Sequence, residues 1–500
     1  MSDLFDLDVQ KARLSRRSQA THPDEPTLPP LTTLRAAEST LPDPNSAGYL
    51  SGGSQEDTVK HIVRDIIPAL NGQGLSPHYY GFVTGGVLPI AEWADNVVSR
   101  MDQNVQVHLP DQTIATALED ATLKMIISLL RLGDAEAWKG RTFTTGATAS
   151  NVLGLACGRE ALLAKRLGSG ESTGELGLLG ACLKAGVTEV QVLTSGGHSS
   201  LSKAASIVGL GRRSVKELRA GEDVPWRLDL VAFERELQKT GTLSIISISA
   251  GEVNTGRYGV NGVEEMRRVR ELADKYGAWI HVDGAFGIFA RALEAKPEYK
   301  VVREYAEGLE LADSITVDGH KLLNVPYDCG MFFTKSPEVL QSAFVNPNAA
   351  YLASGSQASI PSPLNIGIEN SRRFRALPAY AVLLSEGRSG ISSLLSNMTD
   401  LCRRVAGFIQ QSEHYELLPD EQAPLDEIFM IVLFRAKNKE LNGVLVQKIN
   451  DTRKIYVSET KWKGEKAVRI AVSNWMVNVS RDFDVISSTL NAVADGNGDD

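Results

Sequence analysis

"SITVDGHKLL" (residues 314–323) decides how this chain is read. Ile315, Thr316 and Val317 form a short apolar and β-branched run of the kind buried on both faces of a parallel sheet. The run nevertheless ends in Asp318, His320 and Lys321. A strand built for a core thus delivers a histidine and a lysine to its end. Open parallel sheets take ligands at the carboxyl ends of their strands, so polar side chains placed there are candidates for chemistry.

The same grammar recurs on either side. Between about residues 141 and 335, β-branched runs give way to glycine and then to a helical spacing, as in "VTEVQVLTSGGHSSLSKAASIVGL", "LSIISISAGEVNTG", "GAWIHVDGAFG" and "CGMFFTK". Buried strands alternating with helices predict an α/β fold around a mostly parallel sheet covered on both faces. The residues that follow the runs are His198, then Glu252, Asn254 and Thr255, then Asp283, then His320 and Lys321. Taken singly, each has an ordinary explanation: a satisfied structural histidine, a capping aspartate, a solvated lysine. Their succession at strand ends is what calls for a shared site.

Outside this region the chain divides by composition. Residues 1–56, rich in Ser, Thr, Pro and Asp, read as an extended, partly ordered arm. Residues 57–140 alternate helical patterns ("EDTVKHIVRDIIPAL") with the glycine-rich "PHYYGFVTGGVLP", which cannot be a long helix. A large domain is predicted over 141–375, a smaller C-terminal α/β domain over 376–490, and an acidic tail over 491–500.

The net charge of -9, without a long basic block, argues against nucleic acid and against an anionic membrane surface. No uncharged apolar run approaches a membrane span, and the N-terminus lacks a secretory signal pattern, so a cytoplasmic protein with a small-molecule partner is expected. The four cysteines are far apart, in neither a zinc nor a disulfide pattern, and no metal site is predicted. Walker A and HExxH motifs are absent, and "GLGRRS" is only a fragment of a dinucleotide fingerprint.

Six pieces in order, "HYYGFVTGGVLPIAEWADNVVS", "TFTTGATASNVLGLACGRE", "GGHSSLSKAASIVG", "HVDGAFG", "DSITVDGHK" and "SRRFRAL", give the chain its resemblance to fold-type I pyridoxal phosphate enzymes. Over about residues 75 to 480 it resembles the group II amino-acid decarboxylases in particular. The resemblance implies a seven-stranded, mostly parallel sheet in a large domain plus a small C-terminal domain. It also implies pyridoxal 5'-phosphate as cofactor and a homodimer with sites near the subunit interface.

The chemistry explains the residue types. The cofactor delocalises a carbanion into a pyridinium ring, which a buried carboxylate keeps protonated, and its aldehyde is held exchangeably by a lysine amine. The resemblance assigns these roles to Asp283 and to Lys321, the residue of the internal aldimine from which a quinonoid carbanion is reached. It gives the phosphate to Ala147 and Thr148 at a helix N-terminus, whose free N–H groups suit a dianion. It places His198 on the cofactor ring, and Ala285 and His320 beside the cofactor. The turn "SAGEVNTG" has Val253 where decarboxylases more often have threonine, which passes the contact with the ring hydroxyl to Asn254 or Thr255.

Tyr351 falls where the family carries the tyrosine that reprotonates Cα, and this tilts the expected reaction towards decarboxylation of an L-amino acid to amine and carbon dioxide. Phe82, Val83 and Thr84 line the expected side-chain pocket and favour an aromatic or apolar substrate. His108 is a further candidate for that pocket. Arg469 matches an arginine that pairs with carboxylate in some relatives, its plain alternative being a basic residue on an edge strand. Arg372, Arg373 and Arg375 are expected at the dimer and domain junction. Oxidative decarboxylation to an aldehyde, carbon–sulfur cleavage, decarboxylative carbon–carbon bond formation and a catalytically silent binding protein are the alternatives.

Overall fold

The computed structural model describes residues 27–347 and 360–496. Tyr351 therefore lies outside the described residues, as do the first 26 positions and the last four.

Seven strands form the main sheet: β1 (Gly140–Thr144), β2 (Glu189–Thr194), β3 (Val215–Glu217), β4 (Thr242–Ser249), β5 (Trp279–Asp283), β6 (Ser314–Asp318) and β7 (Gly330–Thr334). Their spatial order is β1-β7-β6-β5-β4-β2-β3. Only β7 runs against its neighbours, pairing antiparallel with both β1 and β6. Apart from the edge strand β3, the strands are largely buried because helices cover the sheet. Parallel register sets Ser249 opposite Asp283 and Asp283 opposite Thr316. The carboxyl ends of β4, β5 and β6 are thereby brought level, and the polar residues that follow them converge.

A smaller antiparallel sheet, in the order β10-β11-β9-β8, is built from β8 (Tyr415–Leu418), β9 (Ile431–Ala436), β10 (Ser458–Trp462) and β11 (Glu465–Ala471). The helical stretch Ala376–Gln411 lies between the two sheets in sequence and turns at Gly387, whose φ of 58° takes the left-handed region. Arg469 sits on β11, which is flanked by β9 and β10. The edge-strand alternative for Arg469 is therefore incorrect: it projects from an interior strand.

The arm departs from a purely extended reading, since Leu31–Ser39 and Gln55–His61 are helices. Pro30 precedes the first of these, and "LTTLRAAES" is rich in helix formers that a compositional reading of the Pro- and Ser-rich surroundings conceals. No described helix is long and apolar enough to cross a membrane.

The three arginines of "SRRFRAL" knit the chain to itself. Arg372 donates to the carbonyls of Val105 (2.8 Å) and Phe143 (3.2 Å) and pairs with buried Glu119. Arg373 pairs with Asp95 at 2.7 Å, and Arg375 with Asp328 at 2.7 Å, which ties down the loop that follows Lys321.

Candidate active site

A cleft of about 630 Å³ opens at the level strand ends. Its lining joins Asp283 and Ala285 after β5, Asp318, His320 and Lys321 after β6, His198 after β2, and Ala147 and Thr148 at a helix start. Phe82, Val83, Thr84 and Arg469 complete the set. The sequence thus named residues that the fold does bring together.

Asp283 ends β5 and is fixed from two directions. Its own backbone turn contributes the Ala285 N–H at 3.2 Å, and the Asn151 amide donates at 2.9 Å. Asn151 is held in turn by a full complement of partners. Its NH₂ also donates to Ser200 (3.2 Å), and its carbonyl oxygen accepts from the Thr316 hydroxyl (3.0 Å) and lies 2.9 Å from His281 Nε2.

His281 is wholly buried in the middle of β5 and its pKa is pushed down to about 4 by desolvation, against the pull of Asp283. The neutral ring sits with Nδ1 2.8 Å from the Ser314 hydroxyl, whose oxygen accepts from Trp279 Nε1 (3.0 Å). This assigns the proton to Nε2, facing Asn151. Ser314, His281 and Asn151 are therefore a relay of fixed hydrogen bonds ending on Asp283. Asn151 escaped the sequence reading because the helical spacing of its neighbours made it one more helix residue. A polar amide among Val152, Leu153 and Leu155 was the available signal.

Through Ser200 the same network reaches His198. The Ser200 N–H donates to His198 Nδ1 at 3.2 Å and its hydroxyl lies 2.8 Å away. Nδ1 thus accepts, and Nε2 is left towards the cleft. Desolvation lowers the His198 pKa, with Asp283 opposing and Lys321 reinforcing the shift.

After β6 the chain makes one helical turn, Gly319–Leu322. This spacing puts Asp318 and Lys321 on one side, with Lys321 Nζ 3.0 Å from Asp318 Oδ2 and 5.9 Å from the Phe286 ring centre. His320 accepts the Cys329 N–H on Nδ1 (3.3 Å), stacks obliquely on Tyr327 at 4.5 Å, and has its pKa lowered by burial. Phe286 and Tyr327 also line the cleft and were not singled out from sequence, and Asp318, noted there at the strand end, was given no role. The acid three positions before the lysine was legible as a same-face pair.

The helix Ala147–Ala164 starts at Gly146 with no side-chain cap, so its first amides are free of capping partners. Gly146 has φ 154°, and a Cβ there would stand 3.1 Å from the His320 ring. The result is an open, positively polarised cradle of the size and charge preference of a phosphate. The cradle, the fixed carboxylate and the amine fit pyridoxal phosphate.

Three sets of expected site residues make other contacts within this chain. Asn254 and Thr255 do not line the cleft: Glu252 takes both of their N–H groups at 2.9 Å and the Thr255 hydroxyl at 2.9 Å, and Val253 faces the cavity instead. His108 is also not in the lining of this chain's cleft; it is buried, 2.7 Å from the Thr116 hydroxyl. Arg469 uses its guanidinium on backbone, donating to the carbonyls of Val253 (2.9 Å) and Phe82, while its Nε has no hydrogen-bond partner among the described residues. Burial brings its pKa down to about 10. The carbonyls explain how a cation rests here: it clamps the 82–84 loop to the 253 turn.

That loop is also pinned from below. A Cβ on Gly85 would meet the Lys321 carbonyl oxygen at 2.2 Å, and Gly86 N–H donates to Asn324 at 3.1 Å. Glycine is required so that the substrate-side loop can touch the lysine turn.

Residues 55–437 match the pyridoxal-dependent decarboxylase conserved domain. The chain belongs to this family. Its relatives include the L-2,4-diaminobutyrate decarboxylase of Acinetobacter baumannii, 28% identical over 72% of this chain and 67% of that protein. They also include tryptophan decarboxylase TDC1 of Camptotheca acuminata, 22% identical over 83% and 80%. Among solved structures, Catharanthus roseus tryptophan decarboxylase in complex with L-tryptophan superposes with a TM-score of 0.78 at 20% identity, covering 97% of this chain and 96% of that one. The decarboxylase is thus a fold-type I, pyridoxal phosphate dependent carboxy-lyase acting on amino acids.

Two outcomes follow from the hydrogen-bonded relay. Replacing Asn151 by Ala leaves the buried ends of Asp283, His281 and Thr316 unpaired, and we expect a loss of about 1–3 kcal/mol in urea unfolding with weaker cofactor retention. Because the folded His281 pKa lies below the unfolded value of 6.5, the unfolded chain gains a proton first as the solution is acidified. Stability should therefore fall as pH drops from about 6.5 to about 4, and His281→Gln should flatten that slope in unfolding midpoints measured across pH.

Proposed function

We propose that this decarboxylase converts an L-amino acid with an aromatic or apolar side chain to its amine and carbon dioxide. The observation that carries the reading is one cleft in which Lys321 and Asp283 share walls with Phe82, Val83, Val253 and Phe286. Such walls reward apolar burial by about 25 cal/mol per Å² and offer a second, side-chain carboxylate no free cation. The only arginine in this lining, Arg469, is already engaged with two carbonyls.

Bound pyridoxal phosphate supplies an electron sink for the charge released at the substrate Cα. In our reading, Lys321 holds it covalently through its amine. The amides of Ala147 and Thr148 receive its phosphate, and Asp283, aimed by Asn151 and the Ala285 N–H, faces its ring nitrogen. His198, with Nδ1 engaged by Ser200, presents Nε2 to the substrate side. Phe82, Val83 and Thr84 orient the side chain and exclude water. Tyr351 keeps the reprotonating role that the resemblance gives it, and His108 is assigned to the pocket of a second copy. Exposed Val59, Val63, Ile67 and Leu70 on the N-terminal helical segment support a homodimer, since such a row is poorly suited to water.

A second reading has one support: phenylacetaldehyde synthase of Arabidopsis thaliana is 26% identical over 55% of this chain and 55% of that protein, so aldehyde formation belongs in the same test. Purified protein supplied with a panel of L-amino acids should yield amine and carbon dioxide in equal amounts from tryptophan, tyrosine or phenylalanine. Glutamate should give a kcat/KM lower by about tenfold or more. Lys321→Ala should abolish turnover and visible absorbance of bound cofactor. Aldehyde with ammonia as the main products would favour the second reading.

A further inference from the structure

Asp318 is almost wholly buried, yet its Oδ1 has no hydrogen-bond partner among the described residues. Its Oδ2 lies 3.0 Å from Lys321 Nζ and 3.6 Å from His320 Nε2. His320 already accepts a backbone N–H on its other nitrogen and stands farther off, so the nearest charge to answer this carboxylate is that of Lys321. The one-turn helix fixes the pair at i, i+3, and the acid reaches the lysine without any rearrangement of the backbone. Asp283, by contrast, is engaged by Asn151 and Ala285. The cleft thus holds two carboxylates with separate duties.

We propose that Asp318 is the counter-ion that receives the Lys321 amine whenever an incoming amine takes its place on the cofactor carbonyl carbon. This rests on the reading that Lys321 holds the cofactor. In the exchange the carbonyl carbon's bond to the lysine nitrogen breaks and a bond to the incoming nitrogen forms. The incoming ammonium arrives with three protons and keeps one. The other two join the one proton already on the positively charged lysine nitrogen, which leaves as an ammonium, so atoms and charge balance. An ammonium set free in a partly dry cleft is costly without an opposite charge. Asp318 supplies it at hydrogen-bond distance and draws the exchange towards the bound amino acid. It acts through Lys321 and is a positioning residue.

The test uses holoenzyme and methylamine, a primary amine with no carboxylate to lose. After equilibration at increasing methylamine, borohydride fixes the cofactor wherever it is attached, and peptide mass spectrometry gives the fraction on Lys321. Asp318→Asn and Asp318→Ser should each raise the methylamine concentration for half-displacement by about tenfold, and Asp318→Glu should restore part of the difference. The ratio is independent of how much protein folds, and either neutral variant suffices if the other does not accumulate. An unchanged or lower half-displacement concentration in a neutral variant overturns the proposal. Wild-type protein with no cofactor fixed to Lys321 at zero methylamine would overturn the reading beneath it instead.

Discussion

A carboxylate at the end of a core strand must be aimed at one point in a cleft while everything beneath it is buried. The structure meets this constraint with Asn151, an amide whose four hydrogen-bonding positions are all committed, two of them to Asp283 and Ser200. A rotating amide would offer either its oxygen or its nitrogen to the acid. The fixed one can offer only N–H. Its oxygen is turned towards His281 Nε2 and the Thr316 hydroxyl, both buried in the sheet core, so the direction of the Asp283 side chain is set from within that core.

The reactive end of the cleft is organised by close approach instead. β6 ends in a single helical turn, and the glycine-rich loop of residues 81–86 lies directly on it because Gly85 has no side chain. The C-terminal sheet holds the same loop from the far side: Tyr80 N–H donates to the Tyr456 carbonyl at 2.8 Å, and Arg469 clamps Phe82 to the Val253 turn. Three distant parts of the chain therefore meet at the lysine. The substrate wall and the covalent anchor cannot shift independently, which ties side-chain selection to the geometry of the amine.

Much of this was legible before folding, and for physical reasons. Doubly buried strands write themselves as apolar runs, and a parallel sheet levels their carboxyl ends, so His198, Asp283 and Lys321 could be expected together from order alone. What failed was local competition for polar groups. Asn254 and Thr255 looked like cofactor contacts, but Glu252 two and three residues earlier captures their donors, a preference that sequence spacing does not rank. Asn151 was hidden in a helix whose other residues explained the helix. Arg469 looked like a basic residue for solvent or substrate, whereas two backbone carbonyls from remote loops receive it. Contacts between segments hundreds of residues apart leave no periodic trace.

The central claim is that Lys321 and Asp283 face one another across a single heteroaromatic cofactor. A crystal structure of the protein grown with pyridoxal 5'-phosphate tests it most directly. The account predicts continuous density from Lys321 Nζ to the cofactor, the ring nitrogen within hydrogen-bonding distance of Asp283, and the phosphate against the amides of Ala147 and Thr148. Density joined to another lysine, or a ring nitrogen turned away from Asp283, would contradict it.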